Sequence, residues 1–580
     1  MIRNIYKSLD SDKKKGFIFL IFCNVILFFF EFLSLASIPV FVTTVIDSQF
    51  ALEKLKIIQN FITFINVEEI NEQYIKIYAG IFIVSLFFLK NIFFTFFIVW
   101  QAMYFKHYKI SLSEQIYKQF LFMPYDLYVT KNPSKWTRVI TGDIQGTFHY
   151  INSFLILLRE SLALLAIFIL LFYINPNLNI SIASFLILVV ISYLKIVKPI
   201  LKSASQKNQH LRKKNIQLLN ETSGSLKEIK LSLQDNFLIN FFKEQINGIE
   251  KNLAKMFIIE KLPKIILELI SFSLIVIVSL IYFQSSSSIQ NALPTLSLIL
   301  VSVVRFIPAF NGVATSINAL KIYKVSVQAI YEDLLLEKFI NENDKLPPNE
   351  KNIFKDKPKN IIEINDVSFS YKDSNFTQIK KLNLSIKEGE VVAITGKTGS
   401  GKSTIFLMLL GLLKPSTGSI LYNNQNIFSH IRSWRKLIGY VSQKIYLLDR
   451  SIKENIQFNF ENNHADEKKM HQALNIADLE KVIKDMKYGI NTVVGNDGIM
   501  LSGGEKQRIA IARTVYKDPK ILFMDEFTSA LDEDTEIKII KNLKRIFTGK
   551  TIVIITHRKS TLEICDKIYE LKNGELNNIK

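Results

Sequence analysis

The sequence predicts a helical membrane domain of six spans over residues 1–340, a linker over 341–360, and an α/β domain with a phosphate loop over 361–580. Three observations carry this reading. Apolar runs long enough to cross a bilayer recur through the first half. They give way at Ile361 to short strands alternating with helices. A glycine-rich loop of phosphate-binding spacing then sits between one such strand and a helix.

The first run, Phe17 to Phe41, exceeds the ~20 residues a helix needs to cross a hydrocarbon core. Further runs fall near Ile77–Trp100, Phe154–Ile174, Leu178–Val197, Ile265–Phe283 and Leu293–Phe310. An even count returns the chain to its starting side. Lys13, Lys14 and Lys15 before the first span, and the basic loops after spans two and four, place that side in the cytoplasm. A cleaved signal peptide fits poorly, because the first run is too long and no small-residue cleavage site follows it. The net charge of +20 would point to nucleic acid in a soluble protein. Here the basic residues flank spans and face anionic headgroups, so nucleic acid is not an expected partner. Cys23 and Cys565, the only cysteines, support neither a disulfide framework nor a cysteine-rich metal site.

Segments Tyr104–Tyr150 and Lys202–Lys261 mix apolar and charged residues at helical spacing and read as spanning helices prolonged into the cytoplasm. Asn341–Asn360 is polar, charged and proline-bearing, which marks a linker. Beyond it come IIEINDVSFSY, EVVAIT, KILFMDE and TIVIITH. The last three are continuous apolar runs, as expected of strands buried on both faces of a mainly parallel sheet.

After EVVAIT comes GKTGSGKST: Gly396, Lys397, Thr398, Gly399, Ser400, Gly401, Lys402, Ser403 and Thr404. Gly399 and Gly401 let backbone amides curl towards phosphate, and the following helix adds its positive end. In this pattern Lys402 reaches the β/γ oxygens of a nucleotide and the Ser403 hydroxyl ligates magnesium, so ATP and Mg2+ are the expected cofactors. ILFMDE then ends a buried strand in Asp525, facing the metal, and Glu526, facing an attacking water as general base or water-orienting group. His557, past TIVIIT, is either a lone satisfied imidazole or a γ-phosphate contact at the same sheet edge.

In chain order, Tyr371, the phosphate loop, Gln443, LSGGE from Leu501, ILFMDE, SALD from Ser529 to Asp532, and His557 resemble the nucleotide-binding domain of ABC transporters, and the whole chain resembles an ABC exporter half-transporter. The resemblance implies ATP hydrolysis. It also implies that Ser502, Gly503 and Gly504 contact the γ-phosphate of ATP held by a second subunit, and Asp532 is counted with the nucleotide-binding residues. Tyr371 would stack on adenine, and Gln443 would link the metal to the membrane domain. One nucleotide domain per chain implies pairing, most simply with a second copy. Two positions depart from the family pattern: Glu505 stands where many members have Gln, and Gly495, Asn496, Asp497 replace the exporters' usual Gly-Glu pair.

Charges within spans are costly and turn towards a cavity or a partner. Glu31, Lys90, Arg159, Glu160 and Arg305 qualify, with Glu31 and Arg305 well inside their runs and followed by Pro39 and Pro308. They would pair with each other or line a cationic cavity for an anionic headgroup. The segments FEFLSLASIPVF, KLPKIILELISFSLIVIV and RFIPAFNGVATSINALKIYKVSVQAIYEDL are similar to the bacterial lipid-linked-oligosaccharide flippase of N-glycosylation. That similarity implies outward movement of a polyprenyl-pyrophosphate-linked glycan across the inner membrane, with Arg305 at its headgroup. A peptide, toxin or multidrug exporter is the alternative within transport. A non-transporting ABC regulator, the alternative from another class, fits poorly with the intact Glu526 and Ser502–Gly504.

Overall fold

The computed structural model describes residues 10–46, 72–130, 138–174, 214–285, 289–335, 361–371, 379–459, 466–495, 498–546 and 549–580, with scattered residues between them. The chain divides into two compact units, Met1–Leu121 with Pro133–Glu337, and Phe122–Asn132 with Lys338–Lys580.

The first unit is helical. Its main helices are α1 (Ser11–Ile46), α2 (Glu72–Phe122), α4 (Ile144–Ile174), α5 (Asp235–Ser285) and α6 (Ile289–Leu335), while the short α3 (Tyr125–Thr130) belongs to the second unit. Among the described residues four helical stretches are long and apolar enough to cross a membrane: Ser11–Ile46, Gln73–Phe122, Val139–Phe172 and Leu296–Tyr331. The expected run Ile265–Phe283 lies in α5, whereas Leu178–Val197 and the linker 341–360 lie outside the described residues. At 51 residues each, α2 and α5 extend roughly 75 Å, more than twice a hydrocarbon core, so both continue well beyond any bilayer they cross.

One face of α2, through Ile77, Ile81, Val84, Phe88 and Ile92, is exposed, the arrangement a lipid-facing stripe requires. Inside, Leu20, Cys23, Leu27, Phe97 and Leu155 form one apolar cluster. Leu35, Ile167, Leu171, Leu298, Phe306 and Phe310 form another. Pro39 sits within α1, where its missing N–H leaves the Leu35 carbonyl without its helical donor, and Thr43 Oγ1 donates to the Pro39 carbonyl at 2.8 Å.

α2 ends at Phe122 because Pro124 cannot donate to a continuing helix. The chain turns there into α3, whose Tyr125 packs on the apolar core of the second unit. Residues 122–132, read from sequence as part of prolonged spanning helices, therefore group with the soluble unit.

That unit contains two sheets. The strands are β1 (Ile361–Phe369), β2 (Ile379–Lys387), β3 (Val391–Thr395), β4 (Thr417–Tyr422), β5 (Gln425–Asn426), β6 (Ile438–Val441), β7 (Ile521–Asp525), β8 (Thr551–Ile555), β9 (Lys567–Lys572) and β10 (Glu575–Asn578). An antiparallel sheet runs β2-β1-β4-β5, and a mixed sheet runs β10-β9-β3-β8-β7-β6. In the latter, β9, β3, β8, β7 and β6 are parallel. Alternate residues of β7 enter opposite cores, Leu522 and Met524 on one face and Ile521 and Phe523 on the other. Burial on both faces is why these strands read as unbroken apolar runs. Three helices position the site: α7 (Lys402–Leu409), α8 (Gly503–Tyr516) and α9 (Glu533–Ile546).

Candidate nucleotide site and membrane charge cluster

Parallel strands deliver their carboxyl ends to one edge, where ligands of open α/β sheets bind. Gly396 follows β3, Gln443 lies just past β6, Glu526 follows β7 and His557 follows β8. Asp525 pairs in register with Ile555, two residues before His557. Four sequence-predicted groups thus converge through strand register alone.

The loop Gly396–Gly401 carries positive φ at Gly396 (144°), Gly399 (82°) and Gly401 (107°). A Cβ on Gly396 would come within 2.5 Å of the Leu571 carbonyl oxygen, so only glycine fits there. Lys402 is buried and its Nζ donates to the loop's own carbonyls, Gly396 O at 2.6 Å and Lys397 O at 3.0 Å. Ser400 Oγ is buried with no hydrogen-bond partner, an orphaned donor within the glycine loop. A phosphate oxygen would satisfy it. Lys397, Thr398 and Ser403 are exposed, whereas Thr404 is buried and its Oγ1 lies 3.4 Å from the Tyr371 hydroxyl. Tyr371 meets Phe369 edge-on, with ring centroids 4.9 Å apart.

Asp525 is 6% exposed. Burial, reinforced by the neighbouring charge of Glu526 and opposed by Lys402, pushes its carboxyl up to about 6. A hydroxyl at Ser403, a carboxylate at Asp525 and an amide oxygen at Gln443 are hard donors of the type Mg2+ takes, with room for water and phosphate. Gln443 Nε2 donates to Glu526 Oε2 at 2.5 Å, so its Oε1 is left for another partner. Glu526 is half-buried and its φ is +44°, left-handed and strained for a side chain of this size.

Ser502 caps α8 in a reciprocal box. Its Oγ accepts the Glu505 N–H at 3.3 Å, while the Ser502 N–H and O–H donate to Glu505 Oε2 at 2.7 and 2.8 Å. Gly503 and Gly504 open the helix against Ala530: a Cβ on Gly504 would lie 3.1 Å from the Ala530 carbonyl oxygen. Asp532 is exposed and takes the Thr535 N–H at 3.0 Å, a contact that holds its carboxyl below the usual range and starts α9. Of the departures noted in sequence, Gly495 is described with φ of 75°, while Asn496 and Asp497 lie outside the described residues.

Sequence reasoning missed two groups beside this edge. Gln507 is 1% exposed; its Oε1 accepts the Ala530 N–H at 2.9 Å and its Nε2 donates to the Glu526 carbonyl at 3.3 Å. Arg558 donates to the carbonyls of Leu531 (3.3 Å) and Ser529 (3.2 Å) and pairs with the buried Glu536. A signal for Gln507 was available, since Gln507, Ala510, Ile511 and Thr514 occupy one i, i+3, i+4, i+7 stripe and all are buried.

In the helical unit the intramembrane charges come together. Glu31 pairs with Lys90 at 2.6 Å and with Arg305, which also reaches Glu160 at 3.6 Å. Glu160 bonds its neighbour Arg159 at 3.0 Å, and that guanidinium lies 5.3 Å from the Phe94 ring centre. Gly312 makes the room, since a Cβ there would approach Glu160 Cγ to 2.6 Å. Of the two arrangements open from sequence, mutual pairing is present. It leaves three cations, Lys90, Arg159 and Arg305, against two carboxylates.

The family described as ABC transporter matches residues 379–529, the stretch from the start of β2 to just past the end of β7. Over 477 residues, 80% of this chain and 78% of the other, the sequence is 26% identical to an ATP-dependent lipid A-core flippase of Cupriavidus pinatubonensis. The second unit of this chain carries an ABC transporter domain. Most of the chain is covered by the likeness in fold to a bacterial Atm1-family ABC exporter with ATP bound, at a TM-score of 0.69 and 20% identity over 95% of this chain and 93% of that one. The chain is also 40% identical, over 37% of its length and 30% of the other's, to a leukotoxin translocation ATP-binding protein from a Pasteurella haemolytica-like strain. It is a membrane protein with the exporter fold, and its second unit is an ATP-hydrolysing transport domain.

Proposed function

We propose that a homodimer of this half-transporter moves an amphipathic, lipid-linked anionic substrate outward across a bacterial inner membrane at the expense of ATP. The observation that carries the substrate class is the charge cluster around Glu31 and Arg305, which holds one more cation than it neutralises. Beyond its pair with Glu31, Arg305 makes a 3.6 Å contact to Glu160, so a phosphate or pyrophosphate oxygen can compete for its outer guanidinium donors. Support also comes from the lipid A-core flippase relative and from the glycan-flippase likeness of Phe30–Phe41, Lys261–Val278 and Arg305–Leu334. A polyprenyl-pyrophosphate oligosaccharide is the specific substrate we put forward.

In the ATPase unit Lys402 turns from its loop carbonyls to the β/γ-phosphates, and the loop amides with Ser400 hold the remaining oxygens. Ser403, Asp525 and Gln443 would hold Mg2+, which when bound neutralises charge on those oxygens. Glu526 orients the attacking water and receives its proton, and His557 contacts the γ-phosphate from β8. Tyr371 stacks on adenine. Ser502–Gly504 and Asp532 complete the partner's site, so that hydrolysis needs two subunits.

The test is ATP-dependent movement of labelled polyprenyl-pyrophosphate oligosaccharide in proteoliposomes, with Glu526→Gln as the blank. Movement with the native protein alone, lowered about tenfold by Arg305→Gln while basal ATPase persists, is the expected result, tenfold corresponding to one interaction of ~1.4 kcal/mol. Active ATPase with no glycan movement overturns the glycan assignment. Native-like hydrolysis by Glu526→Gln overturns the assigned base.

A further inference from the structure

Gln507 occupies a junction. Its amide is buried between the catalytic strand end and the helix that begins at Ser502, and it meets each with a different atom. The Glu526 carbonyl it binds also accepts the Ser529 N–H at 3.1 Å, while the Glu526 N–H is tied to Ile555 O at 2.9 Å. The strained Glu526 backbone is therefore pinned at both its peptide groups. The turn from Ser529 to Leu531 is held on one side by Gln507 Oε1 and on the other by the Arg558 guanidinium. Gly504, one turn before Gln507 on the same helix, packs on the Ala530 carbonyl.

Only an amide serves at this position. The Ala530 N–H takes an acceptor and the Glu526 carbonyl a second donor, and glutamine supplies the two from one planar group. Glutamate would keep the acceptor but set a carboxylate oxygen against a carbonyl oxygen. Leucine would fill the space, strand the Ala530 N–H and leave the Glu526 carbonyl with the Ser529 N–H alone.

We propose that Gln507 is a positioning residue that couples the two ATP sites of the dimer. Displacement of Ser502–Gly504 by the partner's phosphate moves α8, and the Gln507 amide passes that displacement to the backbone of Glu526, which faces ATP in its own subunit. The inference rests on the dimeric reading above. It makes catalysis in each site conditional on occupancy of the other, a coupling between distinct sites in the thermodynamic sense.

The test uses the full chain in lipid nanodiscs, with steady-state ATPase measured against ATP concentration. The native protein is expected to give a Hill coefficient approaching the number of sites, about two. Gln507→Leu brings it to about one and lowers kcat at least tenfold, while binding of a fluorescent ATP analogue changes less than about twofold. Gln507→Glu, which keeps the volume and the bond to Ala530, lowers cooperativity in the same way and covers the case in which the leucine variant fails to fold. If both variants keep the native Hill coefficient and kcat, Gln507 is core filling and the proposal falls, whatever their melting temperatures. Gly504→Glu separates the underlying reading: native-like turnover in that variant would overturn trans contact by the Ser502–Gly504 segment. Abolished turnover there, with intact cooperativity in the Gln507 variants, would overturn the coupling role alone.

Discussion

Arg558→Ala offers the sharpest test of how the ATPase edge is held. Glu536 is 1% exposed, with Oε1 taking hydroxyl donors from Ser560 at 3.0 Å and Thr561 at 2.9 Å and Oε2 taking Arg558. Removing the guanidinium leaves a buried carboxylate without its cation, a loss of ~3–5 kcal/mol in comparable sites. Two hydroxyls remain and the Arg558 side chain is 36% exposed, so water can enter, which sets the expectation at the low end, about 3 kcal/mol. For a soluble unit of this size that is a fall of roughly 6–12 °C in melting temperature. Fluorescence of Trp434, fully buried in the same unit, reports it in the full-length protein. The double variant Glu536→Gln/Arg558→Gln removes both charges and should recover most of the loss. A melting point for Arg558→Ala within about 2 °C of native, where 1 kcal/mol is worth ~2–4 °C, refutes the reasoning. So does a double variant as unstable as the sum of the single ones.

Two further outcomes follow from the same geometry. Asp525 keeps its proton to about pH 6 in the folded chain but only to its ordinary 3.8 when unfolded, so folding is penalised above pH 6 and the penalty fades as pH falls towards 4. Asp525→Asn should therefore lose ATPase yet gain up to about 3 kcal/mol of stability at pH 7.5 and almost none near pH 4, and a gain independent of pH would contradict the assignment. Gly312→Val sets atoms where Glu160 now lies, so substrate transport should fall with basal ATPase retained; unchanged transport would show that the charge cluster does not shape the path.

The ATPase edge was legible in sequence because its parts are local. A glycine loop behind EVVAIT, an acid pair ending ILFMDE and a histidine past TIVIIT each carry their own strand, and parallel register does the rest. Long-range satisfaction was not legible. Glu31 and Arg305 are separated by 274 positions, and sequence left open whether they pair or line a cavity. Gln507 and Arg558 look like ordinary polar residues near helix starts, since nothing in the string records that their partners are backbone groups of a distant turn. Asp532 belonged to a recognised motif, yet its contact within the chain is to a helix start. The Phe122–Asn132 excursion was hidden because a short amphipathic helix between two long ones continues their pattern.

The left-handed backbone at Glu526 has an evolutionary edge. That conformation costs a glutamate ~1–2 kcal/mol that glycine would not incur. Folding stability therefore pulls this position towards glycine, and the proposed role in hydrolysis would pull it back. In a lineage that no longer needed hydrolysis the carboxylate would be among the first groups to drift away, and the protein would become sturdier for the loss.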